Sequence, residues 1–303
     1  MGYLRHIQRC NQHNPKNYIP FIVDDQFVGR FRHAFAAKLM ALTDVFSVNE
    51  DFVSLQEKYK GYEQRSLILG EVLQKLVSNN EHPYLLGEMY PVSAGKRENA
   101  LFEIDRSAAA LFGLRTFALH VNGFVRKSDG IHMWVGKRAA DRGTFPGMLD
   151  QLVAGGLPVG ETLESNLCKE CHEEANIDFE LAKSATPVGA VSYNIDTAKG
   201  YKYDTLYCYD LELPEEFTPR CNDGEVDSFE LLPMADVMQR VLKTDDFKPN
   251  CNLIIIDFLL RHGFIPPEHQ EYLDLITGLH SAMSVPDQVA KLGIQYPSDV
   301  YLC

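Results

Sequence analysis

The 303-residue sequence lacks a long hydrophobic run: Asp257 separates the apolar residues 253–256 (LIII) from residues 258–260 (FLL). A membrane-spanning helix needs about 20 consecutive apolar residues. Dense clusters of Lys and Arg are also missing, and the formal net charge is −13. Proteins that bind nucleic-acid backbones present basic patches that replace counterions. The sequence therefore predicts a soluble protein that binds neither membranes nor nucleic acids.

Cysteine is scarce, and its pattern does not indicate disulfides. The seven cysteines are an odd number scattered along the chain without a signal-peptide pattern, which favours free thiols in a reducing compartment. The first seventeen residues contain Arg5, Arg9 and Lys16 but no acid, as transit peptides do. Pro15 and the lack of a Ser-rich amphipathic pattern argue against that interpretation. We therefore expect a cytoplasmic location.

The composition and length predict a globular chain of one large or two medium domains. The hydrophobic fraction of 45% and the charged fraction of 23% are close to globular averages. Apolar spacings of three and four predict helices over residues 31–40 and 63–76, and strands are expected over 45–48 and 52–55. Gly113 marks a boundary, so we predict a smaller α+β domain over residues 1–112.

The pattern after Gly113 favours strands mixed with helices. Residues 117–121 and 131–135 flank a Ser-Asp-Gly turn, which is a hairpin signal. Further predicted strands and helices follow, namely strands at 188–193, 204–211 and 226–232, and helices at 163–175, 234–242 and 253–261. Elements mixed without strict alternation predict an α/β (α+β) domain with a mixed sheet over 113–265. Residues 266–303 form a C-terminal extension.

The predicted helix over residues 163–175 carries a group of carboxylates. At about 100° per residue, Glu170, Glu173 and Glu174 share one face of this helix. Crowded carboxylates repel one another, and a hard divalent cation such as Mg²⁺ relieves the repulsion while bridging to substrate phosphates. The alternative interpretation is a solvated acidic face, which is common in helices.

The surrounding residues distinguish these interpretations. Residues 155–177 have the sequence GGLPVGETLESNLCKECHEEANI, which resembles the Nudix box, Gly-x5-Glu-x7-Arg-Glu-apolar-x-Glu-Glu-x-Gly-apolar. Two positions depart from it. Lys169 stands in place of Arg, so the charge is kept but the planar guanidinium is lost. Asn176 replaces the last Gly, at a helix end where a left-handed backbone is expected and Asn is the best substitute.

The resemblance implies roles for individual residues. A Nudix α/β/α sandwich is implied, with Mg²⁺ or Mn²⁺ bound by the box carboxylates and a backbone carbonyl; here those ligands are Glu170, Glu173, Glu174 and Ala154. Glu170 is also the implied general base, oriented by Lys169, and Glu161 supports the helix. A further acid often precedes the last strand of the family, where Glu225 is the candidate here and an ordinary turn is the alternative.

A second motif overlaps the box. Residues 168–172 (CKECH) fit the CxxCH haem-attachment pattern, and a zinc site is also conceivable. Haem attachment needs an exported context, and structural zinc needs a second ligand pair at suitable spacing, which does not follow. Cys171 occupies the apolar position of the box, so we predict a buried core thiol.

The similarity extends beyond the box to one branch of the family. Residues 144–150 (TFPGMLD), 209–214 (YDLELP), 256–263 (IDFLLRHG) and 86–92 (LGEMYPV) resemble the thiamine-pyrophosphokinase-related Nudix proteins. Membership implies hydrolysis of thiamine diphosphate or its oxo and oxy analogues. The alternatives are another diphosphate substrate such as ADP-ribose, or a non-catalytic ligand sensor with a Nudix fold.

The residues that bind the organic half of the substrate are less evident. Tyr193, Tyr201 and Lys202 lie around a predicted turn, where aromatic rings could stack on a pyrimidine and a lysine could meet phosphate. The alternative is a tyrosine-rich hairpin with solvated lysines. Glu88 is a further candidate from the N-terminal side, since ligand sites often form between domains. A homodimer is compatible with the sequence.

Overall fold

The computed structural model describes residues 2–280 and residue 289. In this part of the chain, the helices are α1 (Leu4–Cys10), α2 (His33–Leu39), α3 (Gly61–Ser78), α4 (Leu163–Ala175), α5 (Phe179–Lys183), α6 (Met234–Lys243), α7 (Pro249–Arg261) and α8 (Tyr272–Leu279). The strands are β1 (Tyr18–Val23), β2 (Gln26–Arg32), β3 (Phe46–Val48), β4 (Val53–Leu55), β5 (Met89–Val92), β6 (Phe102–Asp105), β7 (Arg115–Lys127), β8 (Gly130–Arg138), β9 (Leu149–Asp150), β10 (Val153–Gly156), β11 (Thr186–Thr197), β12 (Gly200–Glu212) and β13 (Val226–Pro233). Short 3₁₀ helices cover Pro15–Asn17, Arg97–Asn99 and Arg106–Ala108.

A seven-stranded mixed sheet organises the C-terminal part. Its order is β11-β12-β7-β8-β13, with β10 added to β7 and β9 added to β8. Strand β12 runs parallel to β7, whereas the other pairs are antiparallel. The β7–β8 hairpin turns at Ser128-Asp129, as the sequence predicts. The mixed sheet is therefore confirmed.

Helices cover both faces of this sheet because side chains alternate along each strand. Leu119 and Val121 of β7 pack in the same cluster as the apolar side of α4. Phe124 and Met133 pack on the opposite face with α6 and α7. This arrangement is the expected α/β/α sandwich, and the predicted helices at 234–242 and 253–261 correspond to α6 and α7.

The first helix belongs to the core of this sandwich. Ile7 and Cys10 of α1 are buried with the apolar residues of α7 and α8. Arg5 and Arg9 both form ion pairs with Asp245, with Nη1–Oδ1 distances of 2.8 and 3.2 Å. The basic N-terminal stretch therefore packs and pairs within the folded chain.

The part of the chain from β1 to the residue before β7 forms a second hydrophobic core. The four-stranded sheet β2-β1-β4-β3 packs with α2 and α3 around phenylalanines such as Phe21 and Phe102. The predicted helix over residues 31–40 is shorter than expected, because Phe31 belongs to β2 and pairs with Ile19. Beside it lies the β5–β6 hairpin, which the sequence did not predict.

The helices and the cysteines of the described residues complete the description of the fold. None of their helices is long and apolar enough to cross a membrane. Their six cysteines are free thiols, as the sequence predicts, and five of the six are buried.

Candidate active site

Helix α4 is flanked by Thr162 and Asn176, which are residue types that favour the start and the end of a helix. Thr162 caps its first turn: the Thr162 Oγ1 accepts from Ser165 N–H, and the Ser165 hydroxyl accepts from Thr162 N–H. Glu161 accepts a hydrogen bond from the Ser165 hydroxyl at 2.5 Å, which joins it to the cap. The helix ends at Asn176 with φ 53° and ψ 37°, so the predicted left-handed residue is confirmed.

The apolar side of α4 faces the sheet. Leu167, Cys168, Cys171 and Ala175 are buried in one cluster, and burial raises the pKa of the Cys171 thiol. The prediction of a buried core thiol is confirmed. His172 is exposed on the other side of the helix, so the CxxCH residues do not converge on a single site.

Glu174 connects α4 to the strand before it. Its Oε2 accepts a hydrogen bond from the Ala154 N–H at 2.8 Å, and its side chain is 6% exposed. Burial raises the pKa of Glu174 well above its usual value, which the Ala154 N–H only partly offsets. Both backbone groups of a strand residue point to the same edge of the strand. The Ala154 carbonyl is therefore on the edge that faces Glu174.

Glu170 lies against the glycine at the start of the box. A Cβ on Gly155 would come within 2.3 Å of the Glu170 side chain, so only glycine leaves room for this carboxylate. Burial raises the pKa of Glu170 to about 7, although Lys169 opposes the rise. The negative charges of Glu173 and Glu225 raise it further. A carboxyl with such a pKa suits proton transfer near neutral pH.

Lys169 lies between two of the box carboxylates without a close bond to either. Its Nζ is 3.8 Å from Glu170 Oε1 and 3.9 Å from Glu173 Oε2. The Lys169 and Glu173 side chains are about two-fifths exposed. The lysine ammonium therefore interacts weakly with both carboxylates. A planar guanidinium would instead bind one of them in a fixed orientation.

The loop before β13 brings Glu225 to the same place. Asn222 donates its backbone N–H to the Glu173 carbonyl at 2.9 Å and its side-chain amide to the His172 carbonyl at 2.7 Å. The Asn222 N–H satisfies the Glu173 carbonyl at the end of α4, and its amide adds to the bond that the His172 carbonyl accepts from Asn176 N–H. Glu225 follows, paired with Arg142 at 2.6 Å, and its charge raises the pKa of Glu174.

The N-terminal part of the chain also reaches this site. Arg106 pairs with Glu88, with 2.8 Å between Nε and Oε2, and hydrogen-bonds Tyr90. The charge of Glu88 contributes to the raised pKa of Glu170. Sequence reasoning considered Glu88 but missed Tyr90 and Arg106, because nothing local marks them and only tertiary packing places them here.

The predicted substrate-binding residues lie in different surroundings. Lys202 pairs with the buried Asp204 at 2.9 Å and remains two-fifths exposed, while the Tyr193 hydroxyl also bonds Asp204. Tyr201 is fully buried, and its ring packs under the Arg30 guanidinium and against Tyr18. Lys202 can therefore meet a ligand from the surface, whereas Tyr193 and Tyr201 are both buried and have no accessible face, so the prediction that they stack on the substrate is wrong.

A second group of potential metal ligands lies inside the sandwich. Ligand atoms of His120, Asp150 and Cys251 are within 4.8 Å of one another, and all three residues are buried. Asp150 already accepts bonds from Lys248 at 2.7 Å and Arg138 at 2.9 Å, so its charge is compensated. Burial lowers the pKa of His120 to about 4, and Lys248 lowers it further. A cation at this position would be repelled by the positive charges of Lys248 and Arg138.

The α4 carboxylates present the opposite situation. Burial raises the pKa values of Glu170 and Glu174, and the negative charges of neighbouring carboxylates add to both shifts. Lys169 is the cation on the same helix, and it is more than 3.5 Å from both carboxylates that it serves. Oxygen donors crowded in this way fit a hard divalent cation, which the group at Asp150 does not.

Family models match two consecutive segments of the chain. Residues 2–116 match a domain of unknown function, DUF4743, and residues 116–251 match the NUDIX domain. The junction lies next to β7, where the central sheet begins. Residues 116–251 include α4, the Ala154 strand and Glu225.

Curated relatives match both segments together. The chain is 41% identical over 291 residues to "Nudix hydrolase 20, chloroplastic" of Arabidopsis thaliana and 43% identical over 284 residues to "Nudix hydrolase 24, chloroplastic" of the same plant. Each match covers 92% of this chain and 78% of the relative. Among solved structures, DR0079 from Deinococcus radiodurans is 24% identical, with 51% of this chain and 88% of that chain covered and a TM-score of 0.38.

Proposed function

The chain belongs to the Nudix hydrolase family, and from this premise we propose that it hydrolyses the diphosphate linkage of a small organic diphosphate with the help of Mg²⁺ or Mn²⁺. One observation carries the proposal: Glu174 binds the Ala154 N–H, Glu170 lies against Gly155, and Glu173 and Glu225 are within electrostatic reach of Glu170. Glu170, Glu173 and Glu174 would hold the cation together with the Ala154 carbonyl. When bound there, a divalent cation supplies positive charge that neutralises phosphate oxygens as the leaving group departs.

The chain's own residues supply proton transfer and orientation. Glu170 accepts a proton from the attacking water at a carboxylate oxygen. Lys169 orients Glu170 and Glu173 through its charge. Glu225 serves as the additional acid from the loop before β13, held in place by Arg142.

We further propose that the substrate is thiamine diphosphate or one of its oxo and oxy analogues, with a monophosphate and phosphate as products. The support is the sequence similarity to the thiamine-pyrophosphokinase-related branch, which covers the 86–92, 144–150 and 256–263 segments. Lys202 is the proposed contact for a substrate phosphate, whereas Tyr193 is buried in the core with α7. The buried Tyr201 has no part in this proposal.

Product analysis by chromatography tests both levels of the proposal, because thiamine diphosphate gives a monophosphate and phosphate whereas ADP-ribose gives two monophosphates and no free phosphate. Purified protein is incubated with thiamine diphosphate, its oxo and oxy analogues, ADP-ribose and nucleoside triphosphates, with Mg²⁺, with Mn²⁺ or with a chelator. Cation-dependent hydrolysis that is strongest with the thiamine compounds is expected. If ADP-ribose is the best substrate, the assignment to the thiamine-related branch is wrong, and the cation-dependent hydrolysis of a diphosphate still stands. Ligand-induced thermal stabilisation without any hydrolysis would favour the alternative of a ligand sensor.

The cytoplasmic location and the homodimer remain predictions. Both plant relatives carry the word chloroplastic in their names, which is a statement about those proteins. Fluorescent tagging of this chain and light scattering of the purified protein test the two predictions separately.

A further inference from the structure

The β5–β6 hairpin of the N-terminal part lies directly on the loop that follows β10. Val159 N–H donates to the Met89 carbonyl at 2.8 Å, and Arg97 Nη2 donates to the Pro158 carbonyl at 2.5 Å. These contacts attach the hairpin to the segment that connects the Ala154 strand with α4. The N-terminal part is therefore positioned against the box itself.

Tyr90 and Arg106 fill the space beside the second glycine of the box. A Cβ on Gly156 would come within 1.8 Å of the Tyr90 hydroxyl oxygen and within 3.7 Å of Arg106 Nη1. The neighbouring Gly155 makes the equivalent close approach to Glu170. Glu170 and the Tyr90–Arg106 pair therefore lie against two consecutive glycines, on opposite faces of strand β10.

The Arg106 side chain is held in place but not enclosed. Asp105 fixes the turn before it by accepting bonds from the backbone N–H groups of Leu86, Gly87 and Ser107. Glu88 binds the Arg106 Nε at 2.8 Å, and the side chain remains 42% exposed.

Arg106 retains donors that its partners do not use. A guanidinium has five N–H donors in a planar fork, of which Glu88 engages Nε and Tyr90 accepts one further bond. Its charge is within electrostatic reach of Glu225. A positive fork beside a carboxylate cluster attracts an anion once cations have neutralised the carboxylates, and phosphate oxygens match its geometry.

We propose that Arg106 is a substrate-binding residue supplied by the N-terminal domain, and that its guanidinium contacts phosphate oxygens of the diphosphate. Glu88 and Tyr90 orient the guanidinium for this contact. The inference rests on the proposed function in one respect, namely that a diphosphate occupies the site. It follows that the Nudix segment needs the N-terminal domain to complete its substrate site.

The test measures binding and turnover on the full chain. Imidodiphosphate, a diphosphate analogue that resists hydrolysis, is titrated calorimetrically into wild type, Arg106→Ala and Arg106→Lys with Mg²⁺ present. Arg126→Ala is the matched control, since Arg126 on β7 forms an exposed ion pair with Glu212 on β12. KM and kcat are measured for the best substrate, and melting temperatures verify that each variant is folded.

Arg106→Ala should weaken imidodiphosphate binding and raise KM by about ten- to a hundredfold, because a charge-assisted contact is lost. The value of kcat should change much less, and Arg106→Lys should fall between wild type and Arg106→Ala. Arg126→Ala should match wild type. Equal binding by wild type and Arg106→Ala would overturn the inference, as would the absence of binding by wild type. Binding that depends on Arg106 without hydrolysis of any substrate would leave the inference standing and refute the proposed function.

Discussion

Oε2 of Glu174 accepts a hydrogen bond from the backbone N–H of Ala154, 20 residues earlier, across 2.8 Å. This bond fixes the end of α4 relative to β10 and holds a buried carboxylate beside the edge of a strand. The acidic face of α4 is therefore partly enclosed, which separates it from the solvated acidic face that the sequence alone allowed.

Glu174→Gln should lower kcat by at least about a hundredfold, because the loss of one anionic ligand weakens charge stabilisation worth several kcal/mol. The glutamine carbonyl can still accept from Ala154 N–H, so the melting temperature should stay close to that of wild type. Glu164→Gln is the control: Glu164 lies on the same helix but pairs with Lys183 at 3.0 Å. Turnover by Glu174→Gln at the rate of the control would contradict the metal assignment.

Gly155→Ala should reduce kcat by about a hundredfold, since the new methyl group must displace the Glu170 carboxylate, and small misplacements of reacting groups have effects of this size. Gly70→Ala in α3 is the control, because a Cβ there meets nothing within 4 Å. It should stabilise the protein by up to about 1 kcal/mol. Steady-state kinetics and thermal unfolding of both variants test this pair. Wild-type activity of Gly155→Ala would show that the position of Glu170 is not critical.

Lys169→Met should lower kcat by about five- to tenfold, because a partly exposed charge contact contributes about 1 kcal/mol. Lys169→Arg should equal or exceed wild type, since a guanidinium can approach Glu170 or Glu173 more closely than the present 3.8 and 3.9 Å. Both variants are compared at saturating substrate and cation. A methionine variant with unchanged kcat would remove the orienting role from Lys169.

Asp210→Asn should reduce the free energy of unfolding at pH 7 by about 2 to 3 kcal/mol, because Asp210 accepts two bonds from Arg261. Burial alone would raise the pKa of Asp210, but the bonds from Arg261 and His262 outweigh burial and lower it. The stabilisation is therefore complete above the ordinary pKa of about 3.9 and is lost as the pH falls through the lower folded value.

Urea unfolding of wild type and Asp210→Asn at pH 7, 4.5 and 3 measures this dependence. The two curves should differ most at pH 7 and approach each other at pH 3. Asp227→Asn, at an exposed position on β13, should stay within about 0.5 kcal/mol of wild type. A difference between Asp210→Asn and wild type that is the same at all three pH values would refute the ionic contribution.

Local patterns predicted much of the framework around the site. Helix α4 was predicted with the bounds that it has, since its cap, periodicity and terminal Asn176 lie within fifteen residues. The β7–β8 hairpin followed from its turn and flanking strands. The β5–β6 hairpin was missed, because its strands are only four residues long and β5 contains a proline.

The sequence by itself determined that three carboxylates share one face of α4, because helical geometry fixes the relation between residues three and four apart. The family resemblance named Ala154 and Glu225, but only the tertiary structure showed that Arg106 lies beside Gly156, that Tyr201 is buried, and that α1 joins the core of the C-terminal sheet. Contacts of this kind join residues tens to hundreds of positions apart. They depend on how whole sheets and helices bury their apolar faces against one another, which no local pattern encodes.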